Sequence, residues 1–145
     1  MHTVAPSSLL KRALLLDAAG SGAIAVLQLM LPGPLHAALG LPPALLTGTG
    51  LFLLVYALAL AVLARSGALW PALVRFVIAG NLGWVALSLL LPLTGAVTVT
   101  LPGALYIAAQ AAAVLLFAGL EWRGLTRSLP DRVTRRGAMP AGRVL

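Results

Sequence analysis

Few side chains in this sequence could do chemistry, and the informative ones interrupt apolar runs. Charged residues make up 9% of the chain and hydrophobic ones 61%, with a mean hydropathy of +1.04. Asp17 lies in the apolar run from Ala13 to Leu31, and Arg75 near the start of another that opens at Trp70-Pro71. Ionisable groups inside such runs serve proton relays, ion paths or buried ion pairs. Asp17 follows Arg12, and Arg75 follows Pro71, by similar short intervals, so both sit roughly 6 Å inside one boundary at 1.5 Å per residue. This spacing predicts an interhelical ion pair between Asp17 and Arg75, with Glu121, at the end of the last apolar run, competing for Arg75. Two other outcomes stay open. Arg75 snorkels to lipid headgroups and Glu121 pairs with Arg123 or Arg127, or Asp17, Arg75, Asn81 and Gln110 form a ligand or ion pathway.

Polar residues recur on single helix faces. Ser21, Ala25 and Gln28 follow Asp17 on one face, and Asn81, Trp84 and Ser88 share another. Tyr106, Gln110, Ala113, Phe117 and Glu121 form a third. An unsatisfied polar group in lipid is costly, so the amides must point into a bundle. There they either line a small cavity or act as interhelical hydrogen-bond glue. Gly20, Gly22, Gly80, Gly83 and the alanines at 111–113 permit close approach. Tyr56 and Tyr106 are potential hydrogen-bond donors, for packing or for a ligand.

Several chemistries have no residues to perform them. The two histidines, His2 and His36, lie outside the apolar runs, which leaves no bis-histidine haem or His-ligated chlorophyll between helices. Cysteine is absent, so thiolate metal sites and disulfides are excluded. Met30 and His36 are too few for a copper site. No Gly-rich phosphate loop, HExxH or GxSxG motif is present. No cofactor or metal is expected, and an enzyme is the less favoured reading.

The elements that must position these residues are four apolar spans, at about 13–31, 44–64, 71–91 and 102–120, each near the length that crosses a bilayer. Pro32-Gly33-Pro34 and Pro42-Pro43 bound the first connection, with His36-Ala37-Ala38-Leu39 as a short interfacial turn. The first span is too long for a signal-peptide core and lacks a small-x-small cleavage pattern near Leu35-His36-Ala37. Residues 1–12 then form a short polar N-terminus, 13–123 the membrane domain and 124–145 an Arg-rich tail. Trp122, Leu125 and Leu129 have helical spacing, so the last helix should continue a turn or two before Pro130. The remainder of the tail reads as disordered. An offset of 60 superposes Pro32 and Pro42 on Pro92 and Pro102, and Ala19-Gly20-Ser21 on Ala79-Gly80-Asn81. Two repeated helical hairpins would produce this, as would chance in a Leu- and Ala-rich chain. The fold class is therefore all-α, a four-helix transmembrane bundle.

The net charge of +7 is distributed as a membrane protein requires, not as a nucleic-acid groove. Lys11 and Arg12 precede the first span, Arg65 follows the second, and six basic residues lie beyond Glu121. The other connections carry no Lys or Arg, so the positive-inside rule places both termini in the cytoplasm. The tail is expected to bind anionic lipid headgroups, at ~1 kcal/mol per basic residue near the surface, or to dock a cytoplasmic partner.

The segments Asp17-Ala-Ala-Gly-Ser-Gly, Pro32-Gly-Pro-Leu, Gly40-Leu-Pro, Gly80-Asn81, Gln110-Ala and Glu121-Trp122 resemble a group of small four-span bacterial inner-membrane proteins. The resemblance covers about residues 9 to 127. It implies the fold and the bacterial inner membrane, and carries no activity. The sequence thus reads as a small multi-pass protein that self-associates or joins a larger membrane complex, with a small transporter or carrier as the alternative. For topology, a C-terminal green fluorescent protein fusion should fluoresce and a C-terminal alkaline phosphatase fusion should be inactive. The reverse pattern would overturn the orientation.

Overall fold

The computed structural model describes residues 3–130 and contains four helices long and apolar enough to cross a membrane. They are α1 (Ser8–Met30), α3 (Pro43–Arg65), α4 (Pro71–Leu90) and α5 (Leu101–Thr126), with a short helix α2 (Pro32–Leu39) between the first two. α1 begins at Ser8 rather than Ala13 because Ser7 caps it, its side chain accepting from the Leu10 amide. It therefore includes Lys11 and Arg12. Proline stands in the first turn of α2, α3, α4 and α5, where its missing N–H costs nothing. The expected interfacial turn around His36 is a helix of two turns. It ends at Gly40, whose φ of +76° is the left-handed conformation that favours glycine. His36 Nδ1 lies 2.9 Å from the Leu41 carbonyl oxygen. A 3₁₀ turn (Leu91–Thr94) extends α4.

The starts of α1 and α4 and the ends of α3 and α5 share one end of the bundle, the near end. Every Lys and Arg among the described residues belongs to the half of its helix that lies there. The near end is tied together by the chain termini. β1 (Val4–Ala5) pairs antiparallel with β2 (Leu129–Pro130), and Val4 exchanges backbone hydrogen bonds with Leu69 in the α3–α4 connection. Ser7 Oγ donates to the Gly124 carbonyl at 2.7 Å, and Ser128 Oγ accepts from the Ser7 amide at 3.1 Å. The last helix thus continues past Glu121 as expected, but Arg127 caps it and the chain then turns into a strand pair. The rest of the Arg-rich tail, with Asp131 and the expected disorder, lies outside the described residues.

The helices form an open arc in the order α3, α1, α5, α4. α1 packs against both α3 and α5, and α4 packs against α5, whereas α3 and α4 stand apart. A strict two-fold relation between two hairpins would make α3–α4 the counterpart of α1–α5, so the packing departs from that symmetry at one seam. The near-end core is Leu10, Leu14, Leu60, Leu69 and Val74, and a far-end cluster of Leu39, Leu41, Leu46 and Ile107 seats α2.

Gly124 is where α5 meets α1 most closely: a Cβ there would lie 2.6 Å from the Leu10 backbone. A Cβ at Gly119 would meet nothing within 4 Å. Gly124→Ala should therefore destabilise the protein by about 1–3 kcal/mol through overpacking. Gly119→Ala should be neutral or stabilising by up to ~1 kcal/mol. Thermal unfolding in mild detergent distinguishes these outcomes, and equal midpoints for the two variants would contradict the α1–α5 contact.

Candidate functional site

Carboxyl groups carried into an apolar bundle need hydrogen-bond donors, and here three helices supply them to carboxyls on two. Asp17 comes from α1, Tyr56 from α3, Asn81 from α4 and Glu121 from α5. Asp17 and Glu121 are 0% exposed and Asn81 is 4% exposed. Ser21, one turn beyond Asp17, donates from Oγ to Asp17 Oδ1 at 3.0 Å. Asn81 Nδ2 donates to Asp17 Oδ2 at 2.9 Å and to Glu121 Oε2 at 3.3 Å. Tyr56 Oη lies 3.1 Å from Asp17 Oδ2 and 2.7 Å from Asn81 Oδ1. Asn81 is the hub, because only an amide offers two donors and an acceptor on one short side chain.

The expected Asp17–Arg75 ion pair is not formed. Both Asp17 oxygens are taken by Ser21, Tyr56 and Asn81, and Arg75 is exposed. The reason is helical phase. Asn81 faces the bundle on the same side of α4 as Val74, Val77, Ile78 and Val85, all buried, and Arg75 lies between those positions on the outer face. Nor does Glu121 pair with Arg75, Arg123 or Arg127. It faces inward beside Asn81, whereas all three arginines are exposed. Depth changes too. Asp17 and Asn81 lie two to three turns into their helices, about 14 Å from the helix starts at 1.5 Å per residue.

A cavity of about 810 Å³ occupies the seam between α3 and α4, with α1 and α5 as its floor. Of the residues proposed for a polar pathway, it is lined by Asn81 and Gln110 but not by Asp17 or Arg75. Tyr56 and Ser21 also line it, so three members of the hydrogen-bond cluster separate the buried carboxyls from the cavity. The walls are otherwise apolar. Phe52 and Val55 on one lip and Leu73 and Phe76 on the other are exposed, which opens the cleft sideways. Phe52 stacks on Tyr56 (6.2 Å between centroids) and on Trp84 across the seam (5.5 Å), bridging α3 and α4 at one level. Among the described residues no Lys, Arg or His lines the cleft.

The Gln28 face forms a second, separate network. Gln28 Nε2 donates to Tyr106 Oη, and Gln28 Oε1 accepts from Thr49, each at 3.0 Å. Gln28 is 3% exposed and knits α1, α3 and α5 in the far half, the glue role expected of a membrane amide. Ser88 is half-buried, outside both networks and the cleft. Sequence reasoning placed Tyr56 only as a potential donor and gave Thr49 no role. Their signal was present, as polar side chains inside an apolar run, but nothing in the sequence fixed which helices they faced.

Among the described residues no group of three His, Asp or Glu side chains could hold a metal ion. No protein-family model, curated protein or solved structure matches the chain. Asn81→Leu leaves two buried carboxyl groups and Tyr56 short of partners and should cost about 1–3 kcal/mol. Arg75→Leu should stay within about 0.5 kcal/mol, as exposed substitutions do. Unfolding of both variants in detergent checks this. A larger loss for Arg75→Leu would restore the ion-pair reading.

Proposed function

We propose that this is a bacterial inner-membrane carrier for small amphiphilic molecules, which enter the α3–α4 cleft from the bilayer, and that both chain ends face the cytoplasm. The observation that carries the reading is the cleft itself. At about 810 Å³ it falls within the ~300–1,000 Å³ range of small-molecule sites. It is too small to enclose a transmembrane helix, some 10–12 Å across and about 30 Å long. Apolar walls suit a hydrophobic body, and the Gln110 amide, with the hydroxyl oxygens of Ser21 and Tyr56 as further acceptors, faces one polar head. A lateral opening lets such a molecule arrive without crossing water. The near-end placement of the basic residues supports the orientation through the positive-inside rule. The four helices long and apolar enough to cross a bilayer support the membrane assignment.

A second reading, self-association, is favoured by a groove on the opposite side of α1 and α3. It measures about 400 Å³ and is lined by Ala18, Ala19, Gly22, Ala57 and Ala61 between exposed leucines. Small residues let helix backbones approach closely in lipid.

Gly80 lines the cleft and a Cβ there would meet nothing within 4 Å, while Gly83 is equally open but lies off the cleft. Gly80→Phe should fill the site without disturbing the fold. Native mass spectrometry of protein extracted in mild detergent should show one bound amphiphile on the wild type and on Gly83→Phe, and none on Gly80→Phe. A bound mass that survives Gly80→Phe, or bare wild-type protein, overturns the carrier reading. A mass of two chains supports the second.

A further inference from the structure

Counting hydrogens in the Asp17–Glu121 cluster exposes a deficit. Tyr56 Oη has one hydrogen but lies within reach of two acceptors, Asp17 Oδ2 at 3.1 Å and Asn81 Oδ1 at 2.7 Å. If it donates to Asn81, the Tyr56–Asp17 contact has no hydrogen. If it donates to Asp17, the Asn81 oxygen has none. Asn81 Nδ2 already commits its two hydrogens to Asp17 and Glu121. One proton on Asp17 Oδ2 completes the set, because Asp17 then donates to Tyr56 and Tyr56 donates to Asn81. Glu121 Oε1 remains fully buried with no protein partner. The pair is thus short of positive charge as well as of hydrogens.

No fixed cation among the described residues relieves it. α1 presents Asp17 and Ser21 to the pair, α3 only Tyr56, α4 only Asn81, and α5 Glu121 itself. Arg75 on α4 and Arg123 on α5 are exposed. Two carboxylates bridged by one amide nitrogen, inside a low-dielectric bundle, repel strongly unless a proton or another cation joins them. Their field reaches the cleft with only Ser21, Tyr56 and Asn81 between. The cleft walls supply no positive side chain to cancel it, and the aromatic faces of Phe52, Tyr56, Trp84 and Phe117 are themselves suited to cations.

From this arrangement we infer that Asp17 and Glu121 hold one exchangeable proton between them, and that the cleft takes amphiphiles with a positively charged head, which bind at the expense of that proton. The inference rests on the carrier reading and adds the sign of the ligand's charge. The balance is simple. The cation enters the cleft, the O–H bond of the shared proton breaks, and the proton leaves to the aqueous buffer, so the charge of the site is unchanged. Anionic amphiphiles are excluded by the same field.

Tetraphenylphosphonium is the cationic probe and triphenylphosphine oxide its neutral counterpart, with the full-length protein in nanodiscs. Calorimetry in two buffers of different ionisation enthalpy counts protons released. Wild-type protein should bind tetraphenylphosphonium with release of about one proton, and affinity should rise by up to about tenfold per pH unit while the proton is held. Asp17→Asn and Glu121→Gln should each weaken tetraphenylphosphonium binding at least tenfold and abolish its pH dependence, and wild-type binding of triphenylphosphine oxide should not vary with pH. Cation binding without proton release, or equal binding of both probes, overturns the inference while leaving the cleft as a ligand site. Binding of neither probe removes the carrier reading and this inference together. The proton count uses unmodified protein, so the outcome stands even if a carboxyl variant fails to fold.

Discussion

The carboxyl groups of Asp17 and Glu121 have no water to turn to, and the bundle is arranged around giving them donors. Ser21 from α1, Tyr56 from α3 and Asn81 from α4 supply them, and α5 brings Glu121 itself. The amide of Asn81 is the joint: it reaches α1 and α5 with its nitrogen and α3 with its oxygen. Hydrophobic burial cannot hold helices together in lipid as it does in water, because the tails are as apolar as leucine. Directional polar contacts and close backbone approach must supply what burial does not. The Asn81 hub near the middle, the Gln28 network towards the far end and the Ser7–Gly124–Ser128 knot at the near end are three such fastenings.

Those fastenings are unequal around the arc. α1 is gripped by α3 and α5 along its length, and α5 meets it closely enough at Gly124 that a methyl group would not fit. α4 is held by α5; towards α3 it has the Tyr56–Asn81 hydrogen bond, the stacking of Phe52 on Trp84 and a shared near-end core with Leu60. The seam between α3 and α4 therefore carries few contacts and holds the cleft. Of the two seams between the α1–α3 and α4–α5 pairs, the one between α1 and α5 is closed and the one between α3 and α4 is open.

The cleft and the buried acids are one device. The side chains that satisfy the carboxyls are also the polar lining of the cleft, so whatever occupies the cleft competes for the same hydrogen bonds. An apolar wall with a polar floor is the lining that the proposed carrier reading requires for a two-sided molecule. In the proposed carrier, negative charge one side chain behind that floor, with the exposed arginines turned outward, would set the sign of the head group.

The sequence determined the class of the protein. Four runs of bilayer length, punctuated by Pro32, Pro42, Pro71 and Pro102, define four helices whatever their partners, because helix formation in an apolar segment is a local matter of hydrogen bonds and length. It also marked Asp17, Asn81, Gln110 and Glu121 as residues that lipid would not tolerate uncovered. Pairing was not legible. Spacing from Arg12 and Pro71 put Asp17 and Arg75 at one depth, but α1 begins at Ser8, which sets Asp17 nine residues into its helix and Arg75 only four into its own. Whether they meet depends on the rotation of α4 about its axis, and packing of Val74, Val77 and Ile78 turned Asn81 inward and Arg75 out. Tyr56 became a partner of Asp17 only because α3 lies beside α1, and the cleft exists only because α3 does not close on α4. Those are relations between helices distant in sequence, and tertiary packing alone decides them.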